Sequence, residues 1–205
     1  NVYNFAANGF GSRFSNPATN SAGARNGIRW SSNAADVSLA SGTTPYVSVY
    51  PWSSSGFGAR YTNPATLPTS ACYDTEFNSS NSNVFITSNA SPYIFAYPFT
   101  SGTGYGTKYA NPSSLPTSQA RGLATLNDAV VLGNVSTPFV TAYSWSSGFG
   151  SKFSNPGTTA SGQNSSVDFS WDDYTLTASS SAFSFTGIAA NLTKTAGGTA
   201  YTITA

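Results

Sequence analysis

GFGSRFSNP (Gly9 to Pro17), GFGARYTNP (Gly56 to Pro64), GYGTKYANP (Gly104 to Pro112) and GFGSKFSNP (Gly148 to Pro156) are one segment written four times, and its spacing decides the fold. Successive copies start 47, 48 and 44 residues apart. A second block precedes three of them: TPYVSVYPW from Thr44, SPYIFAYPF from Ser91 and TPFVTAYSW from Thr137. A third block, ATLPTS from Ala65 and SSLPTS from Ser113, follows the middle two. Between the blocks lie β-branched runs such as Asn83 to Thr87 and Ala129 to Leu132. With strands of about five or six residues, each period holds four short strands. We label them A and B in the variable stretch, C in the PYV-type block and D at the GFG-type block. Glycine provides the tight corner before D, each Asn-Pro ends it, and helical periodicity is nowhere sustained.

A repeat of this length with four strands predicts an all-β chain folded as a small β-propeller, whose blades typically span about 40–50 residues. A β-solenoid or a sandwich array fits the same pattern. The units run from about 24 to 70, 71 to 118, 119 to 161 and, diverged, 162 to 196. In the last, Val167 to Trp171, Tyr174 to Ala178 and Ala182 to Thr186 read as strands, and Asn191 to Lys194 replaces D. The chain opens with a C and D pair, Val2 to Phe5 and Ser12 to Ser15, and closes with the alternating Thr199 to Thr204. Residues 1–23 and 197–205 are therefore expected to share a partial blade. The expectation is a single domain over 1–205, with a fifth blade closed by N- and C-terminal strands and no free sheet edge left to aggregate.

Composition narrows the function. Charged residues make up 7% of the chain, against roughly 25% in ordinary soluble domains. Aromatics reach 15%, which argues for a folded β protein. A net charge of +1 without a basic cluster predicts no nucleic-acid partner. There is no apolar run of about 18 residues, so no membrane-spanning helix is expected. Asn1 to Phe5 lack the features of a signal peptide, and the missing initiator Met suggests a processed chain. The lone Cys72 excludes an internal disulfide and reads as a small buried residue. With no His there is no His-dependent triad or His metal site, and neither a phosphate loop nor any cofactor motif is found. No catalytic residue and no metal ligand is expected. Asp74 and Glu76, two apart on one strand face, are the single carboxylate pair a glycosidase could use.

Other residues follow the repeat. Arg13, Arg60, Lys108, Lys152 and, by position, Lys194 mark strand D, where their stems cover an outer edge or their heads repeat an anion or sugar contact. Asp36, Asp128, Asp172 and Asp173 fall at the turn between A and B. Tyr50 with Trp52, Tyr97 with Phe99, and Tyr143 with Trp145 recur two residues apart on one face of strand C. These rings pack blade against blade, or form an aromatic rim that stacks on sugars. Asn-x-Ser/Thr sequons stand at Asn78, Asn89, Asn134, Asn164 and Asn191.

The stretches TPYVSVYPWSSSGFGARYTNPATLPTS (Thr44 to Ser70) and TPFVTAYSWSSGFGSKFSNP (Thr137 to Pro156) resemble a family of WD40-like β-propeller repeats common in bacteriophage and metagenomic proteins. The likeness rests on the joined YPW, GFG, NP and LPT elements and covers the first three units. It implies a virion-associated propeller serving structure or adhesion, as capsid decoration or part of a tail or fibre, with no catalytic residues to carry over. Partners are then other virion proteins, host-surface glycans or further copies of the chain, and the location is the virion or the extracellular space. A lectin-like module with one shallow site per blade gap is the alternative, and a glycosidase is the third.

Overall fold

The computed structural model describes residues 2–7, 9–20, 23–126, 128–158, 162, 167, 191–194 and 201–204, and every structural statement below concerns these. The chain falls into two units, Asn1–Phe169 and Ser170–Ala205. The first begins with an antiparallel hairpin, β1 (Tyr3–Ala6) and β2 (Gly9–Arg13). Three four-stranded antiparallel sheets follow, each a meander in chain order. They are β3 to β6 (Arg25–Trp30, Asp36–Ser41, Val47–Ser53, Gly56–Phe57), β7 to β10 (Cys72–Phe77, Asn83–Ser88, Ile94–Thr100, Gly104–Tyr105) and β11 to β14 (Ala120–Thr125, Ala129–Asn134, Val140–Trp145, Phe149–Lys152). The second unit holds a two-stranded antiparallel sheet of β15 (Asn191–Lys194) and β16 (Tyr201–Thr204). Among the described residues there is no helix. The strands expected within 167–186, and Asp172 and Asp173 with them, lie outside the described residues.

The second strand of a sheet shows why period-two alternation is weak in the sequence. DVSLAS of β4 and NVFITS of β8 are buried at all six positions, because a sheet covered on both faces has no water side for polar residues to occupy. One apolar cluster joins Ala40 and Val49 of the first sheet to Val84, Ile86 and Tyr97 of the second. Another joins Phe85 and Ile94 of the second sheet to Leu123, Leu132 and Tyr143 of the third. Each large side chain buried in this way contributes about 1.5–3 kcal/mol.

The first strands β3, β7 and β11 pack in succession against one another. Gly27 permits a close approach of β3 to β7: a Cβ there would lie 2.7 Å from Tyr73 O and 2.8 Å from Asp74 Cα. Asn26 Nδ2 then donates to Cys72 O at 2.7 Å, and the Ser38 and Thr75 hydroxyls share a hydrogen at 2.6 Å.

Strand D is shorter than the repeat suggested. In the first two sheets it is the Gly-aromatic pair alone, Gly56–Phe57 and Gly104–Tyr105. Beyond it two amides three residues apart still bond to strand C, as Gly58 N to Pro51 O and Tyr61 N to Val49 O, before the chain crosses to the next sheet. The corner glycines have φ of +104° at Gly56 and +101° at Gly104, a conformation that side chains with a Cβ rarely adopt.

Candidate functional site

The six rings expected to form a rim lie within the packing. Tyr50, Tyr97 and Tyr143 are fully buried, Phe99 and Trp145 are nearly so, and Trp52 is half-buried. Each tyrosine makes the same bond: Tyr50 Oη donates to Thr19 O at 2.8 Å, Tyr97 Oη to Thr66 O at 2.8 Å, and Tyr143 Oη to Ser114 O at 2.7 Å. The acceptor always belongs to the segment arriving from the preceding repeat. Burial in this fit raises the hydroxyl pKa of Tyr97 above its usual 10.0, and that of Tyr143 to about 12. These tyrosines staple one unit to the next, and sugar stacking at the six positions narrows to Trp52.

A fourth pair escaped the sequence reading. Tyr3 pairs with Arg13 and Phe5 with Phe10, matching the partnership of Tyr143 with Lys152 and of Trp52 with Phe57. The signal was present in Val2-Tyr3-Asn4-Phe5, beside Val49-Tyr50-Pro51-Trp52. Among the described residues no first and second strand pairs with the hairpin, and its rings are bare: Tyr3 is 45% exposed, Phe5 72% and Phe10 82%.

The ring after the strand D cation is a plug for the next corner. A Cβ on Gly56 would meet the Phe14 ring at 3.3 Å, one on Gly104 would meet Tyr61 at 3.3 Å, and one on Gly148 would meet Tyr109 at 3.8 Å. The tyrosines add clamps: Tyr61 Oη donates to Asp36 Oδ1 at 2.8 Å and accepts from Gly102 N at 2.9 Å, while Tyr109 Oη donates to Asn83 Oδ1 at 2.9 Å. Phe14 has no hydroxyl. The turn aspartate Asp36 is thus buried as an anchor for the crossing segment, and Asp128 is exposed.

Asp74 and Glu76 do share a face, and Arg29 of the neighbouring sheet occupies it. Arg29 Nε lies 2.8 Å from Glu76 Oε2, and Arg29 Nη2 lies 4.0 Å from Asp74 Oδ2. Asp74 also accepts from Thr75 N at 2.9 Å and, across the next interface, from Leu123 N at 3.1 Å. Desolvation raises its carboxyl pKa, opposed by these bonds and by Arg29. The pair ties three sheets together.

Of the strand D cations, Lys108 donates to Tyr109 O and Asn111 Oδ1 at 2.9 and 2.6 Å, with its ammonium 5.6 Å from the Phe95 ring centre; burial lowers its pKa. Arg13 is exposed, while Arg60 and Lys152 are half-buried. Cys72 is buried, which pushes its thiol pKa up. The sequon residues Asn78 and Asn134 are buried, whereas Asn89 is exposed. No cluster of metal-ligating side chains is found among the described residues.

Two cavities flank the junction of the β1–β2 hairpin with the first four-stranded sheet. One, of about 340 Å³, is lined by Asn16, Pro17, Arg25, Ile28 and Tyr50 among others. The other, of about 640 Å³, is lined by Tyr3, Asn4, Phe5, Ser12 and Phe14 from the N-terminal segment and by Trp30, Trp52 and Ser54 from the sheet. Trp30 and Trp52 meet edge to face at 4.7 Å, and Phe14 meets Trp52 at 4.8 Å.

No family model matches the chain, and no curated protein matches it. Solved structures do. The computationally designed Ika4 protein is 14% identical with a TM-score of 0.55, over 78% of this chain and 88% of its own. The computationally designed Ika8 protein is 16% identical with a TM-score of 0.52, over 72% of this chain but 40% of its own length. The β-propeller domain of Myceliophteria thermophila Cps50 (Swd1) is 6% identical with a TM-score of 0.48, over 71% of this chain and 46% of its own. At such identities the likeness concerns the fold alone. The class is an all-β chain of four-stranded antiparallel sheets whose fold is similar to that of the designed Ika4 and Ika8 proteins.

Proposed function

We propose that this chain is a non-enzymatic structural and interaction module, a five-bladed propeller whose last blade is closed by N- and C-terminal strands, carried on a virus particle as capsid decoration or as part of a tail or fibre. The observation that carries the reading is the use of the repeated side chains. The stapling tyrosines, the plugging rings and Asp36 go into joining unit to unit, as do Asp74 and Glu76, the carboxylates an enzyme would have needed. A repeat whose distinctive residues serve its interfaces specifies a rigid body. The bare rings of the β1–β2 hairpin support closure, since their counterparts are buried or half-buried in the other described copies. The viral setting is supported by the joined YPW, GFG, NP and LPT elements.

The test is location. Gold-labelled antibody on purified particles should decorate them at a repeating position, and a protein found free in the cytoplasm as a monomer refutes the viral setting. A second reading, a carbohydrate-binding adhesin, is favoured by the cleft that exposes Trp30 beside Trp52.

A further inference from the structure

We infer that the 640 Å³ cleft between the β1–β2 hairpin and the first four-stranded sheet is a single binding site for a neutral saccharide, with Trp30 and Trp52 as its recognition residues. The neighbouring junctions serve as internal controls. At the next one, Phe77 stands where Trp30 stands and Phe99 where Trp52 stands, and both are at most 4% exposed. That junction is shut by the Tyr61 hydroxyl on Gly102 N, and by Asn81 Oδ1 and the Ser79 carbonyl accepting from Ser32 at 2.8 and 3.2 Å. At the third, Trp145 is 4% exposed beneath Phe85 and Tyr109.

The first junction has Phe14 in place of the clamping tyrosine, and among the described residues no preceding A–B turn covers it. Trp30 is 37% exposed there. Its volume lies within the range of about 300–1,000 Å³ of small-molecule sites.

The chemistry of the wall selects the ligand. Among the described residues no charged side chain lines the cleft, so none of them balances a phosphate, sulfate or carboxylate. Neither indole N–H donates to a protein group among the described residues, so both can serve ligand hydroxyls. The indole and Phe14 rings offer flat apolar faces to the C–H side of a pyranose. Asn4, Ser12 and Ser54 stand around them as neutral donors and acceptors. This differs from one site per blade gap, because the neighbouring gaps are filled. It rests on the carbohydrate-binding reading above and is independent of the viral one.

The experiment is a titration of the full ¹⁵N-labelled chain, following the indole Nε1–H resonances, assigned with Trp30→Phe and Trp52→Phe. The probes are methyl glycosides and short oligosaccharides of neutral hexoses and N-acetylhexosamines, with sialylated and sulfated sugars and an aromatic peptide as comparators. The expected result is a saturable shift of the Trp30 and Trp52 signals with at least one neutral sugar and no gain from added charge. Trp30→Ala should weaken that binding by about tenfold in a chain that still unfolds cooperatively above the assay temperature, and Trp30→Phe should fall between. Silence of both signals across the neutral sugars, a response to the peptide alone, or equal binding by Trp30→Ala overturns the site. A particle-bound protein that binds no sugar would remove this inference and leave the structural module standing.

Discussion

The Tyr97 hydroxyl has one task, a 2.8 Å bond to the Thr66 carbonyl inside a closed interface. Tyr97→Phe keeps the ring and orphans that carbonyl, so unfolding in urea should show a loss of about 1 kcal/mol. Gly104→Ala adds two costs at one atom: a side chain at φ +101° and a Cβ 3.3 Å from Tyr61. A loss of about 1–3 kcal/mol is expected in the same assay, opposite in sign to the gain of about 0.4–1 kcal/mol from Gly-to-Ala at a compatible backbone position. Asp74 sets a pH dependence. Desolvation holds its carboxyl pKa above the usual 3.8, so the folded chain binds that proton more tightly than the unfolded one. The group's contribution is therefore most favourable below 3.8 and declines as pH rises through the folded pKa. Urea midpoints measured from about pH 4 to 8 should fall less steeply with rising pH in Asp74→Asn than in the parent chain.

Strands and corners were largely legible because they are local. Gly-aromatic-Gly needs a positive φ, and β-branched runs need a sheet, whatever their neighbours do. What joins the sheets was not legible, since it depends on a segment leaving one repeat and serving the next. Position 61 reads as part of strand D, yet its ring stands 5.5 Å from Phe99 of the following sheet, with its hydroxyl held by Asp36 and Gly102. The strand C tyrosines carried a regular period, but only their Oη bonds explain why Tyr is used where Phe would fill the space. Trp30 sits in the variable stretch, with Phe77 at its counterpart, so no period marked it. The crossing segment should thus act as an element of the sheet it reaches. Tyr61→Ala is expected to cost about 2 kcal/mol, below the value for a fully buried ring because Tyr61 is half-buried. It should also speed hydrogen exchange in β9 and β10 more than in β5, the strand of its own repeat.

At the scale of the molecule, the first junction is unlike the described ones that follow it. Gly9, with φ +112°, has nothing within 4 Å of where its Cβ would be, although each equivalent glycine carries a ring from the preceding unit. Beside it Phe5 and Phe10 are among the most exposed rings described. A face of this kind, covered at the described junctions that follow, is covered within one chain or between copies. The five-bladed reading requires closure within one chain, and Phe10 reports on it. A ring truly open to water changes stability by less than about 0.5 kcal/mol when replaced. Phe10→Ser in the full chain should instead cost about 2 kcal/mol, the value of a buried phenyl group, while sedimentation holds the parent at monomer mass as its concentration rises. A neutral substitution would leave the blade open. A mass that grows with concentration, and is reduced by the same substitution, would mean that the face is covered between copies.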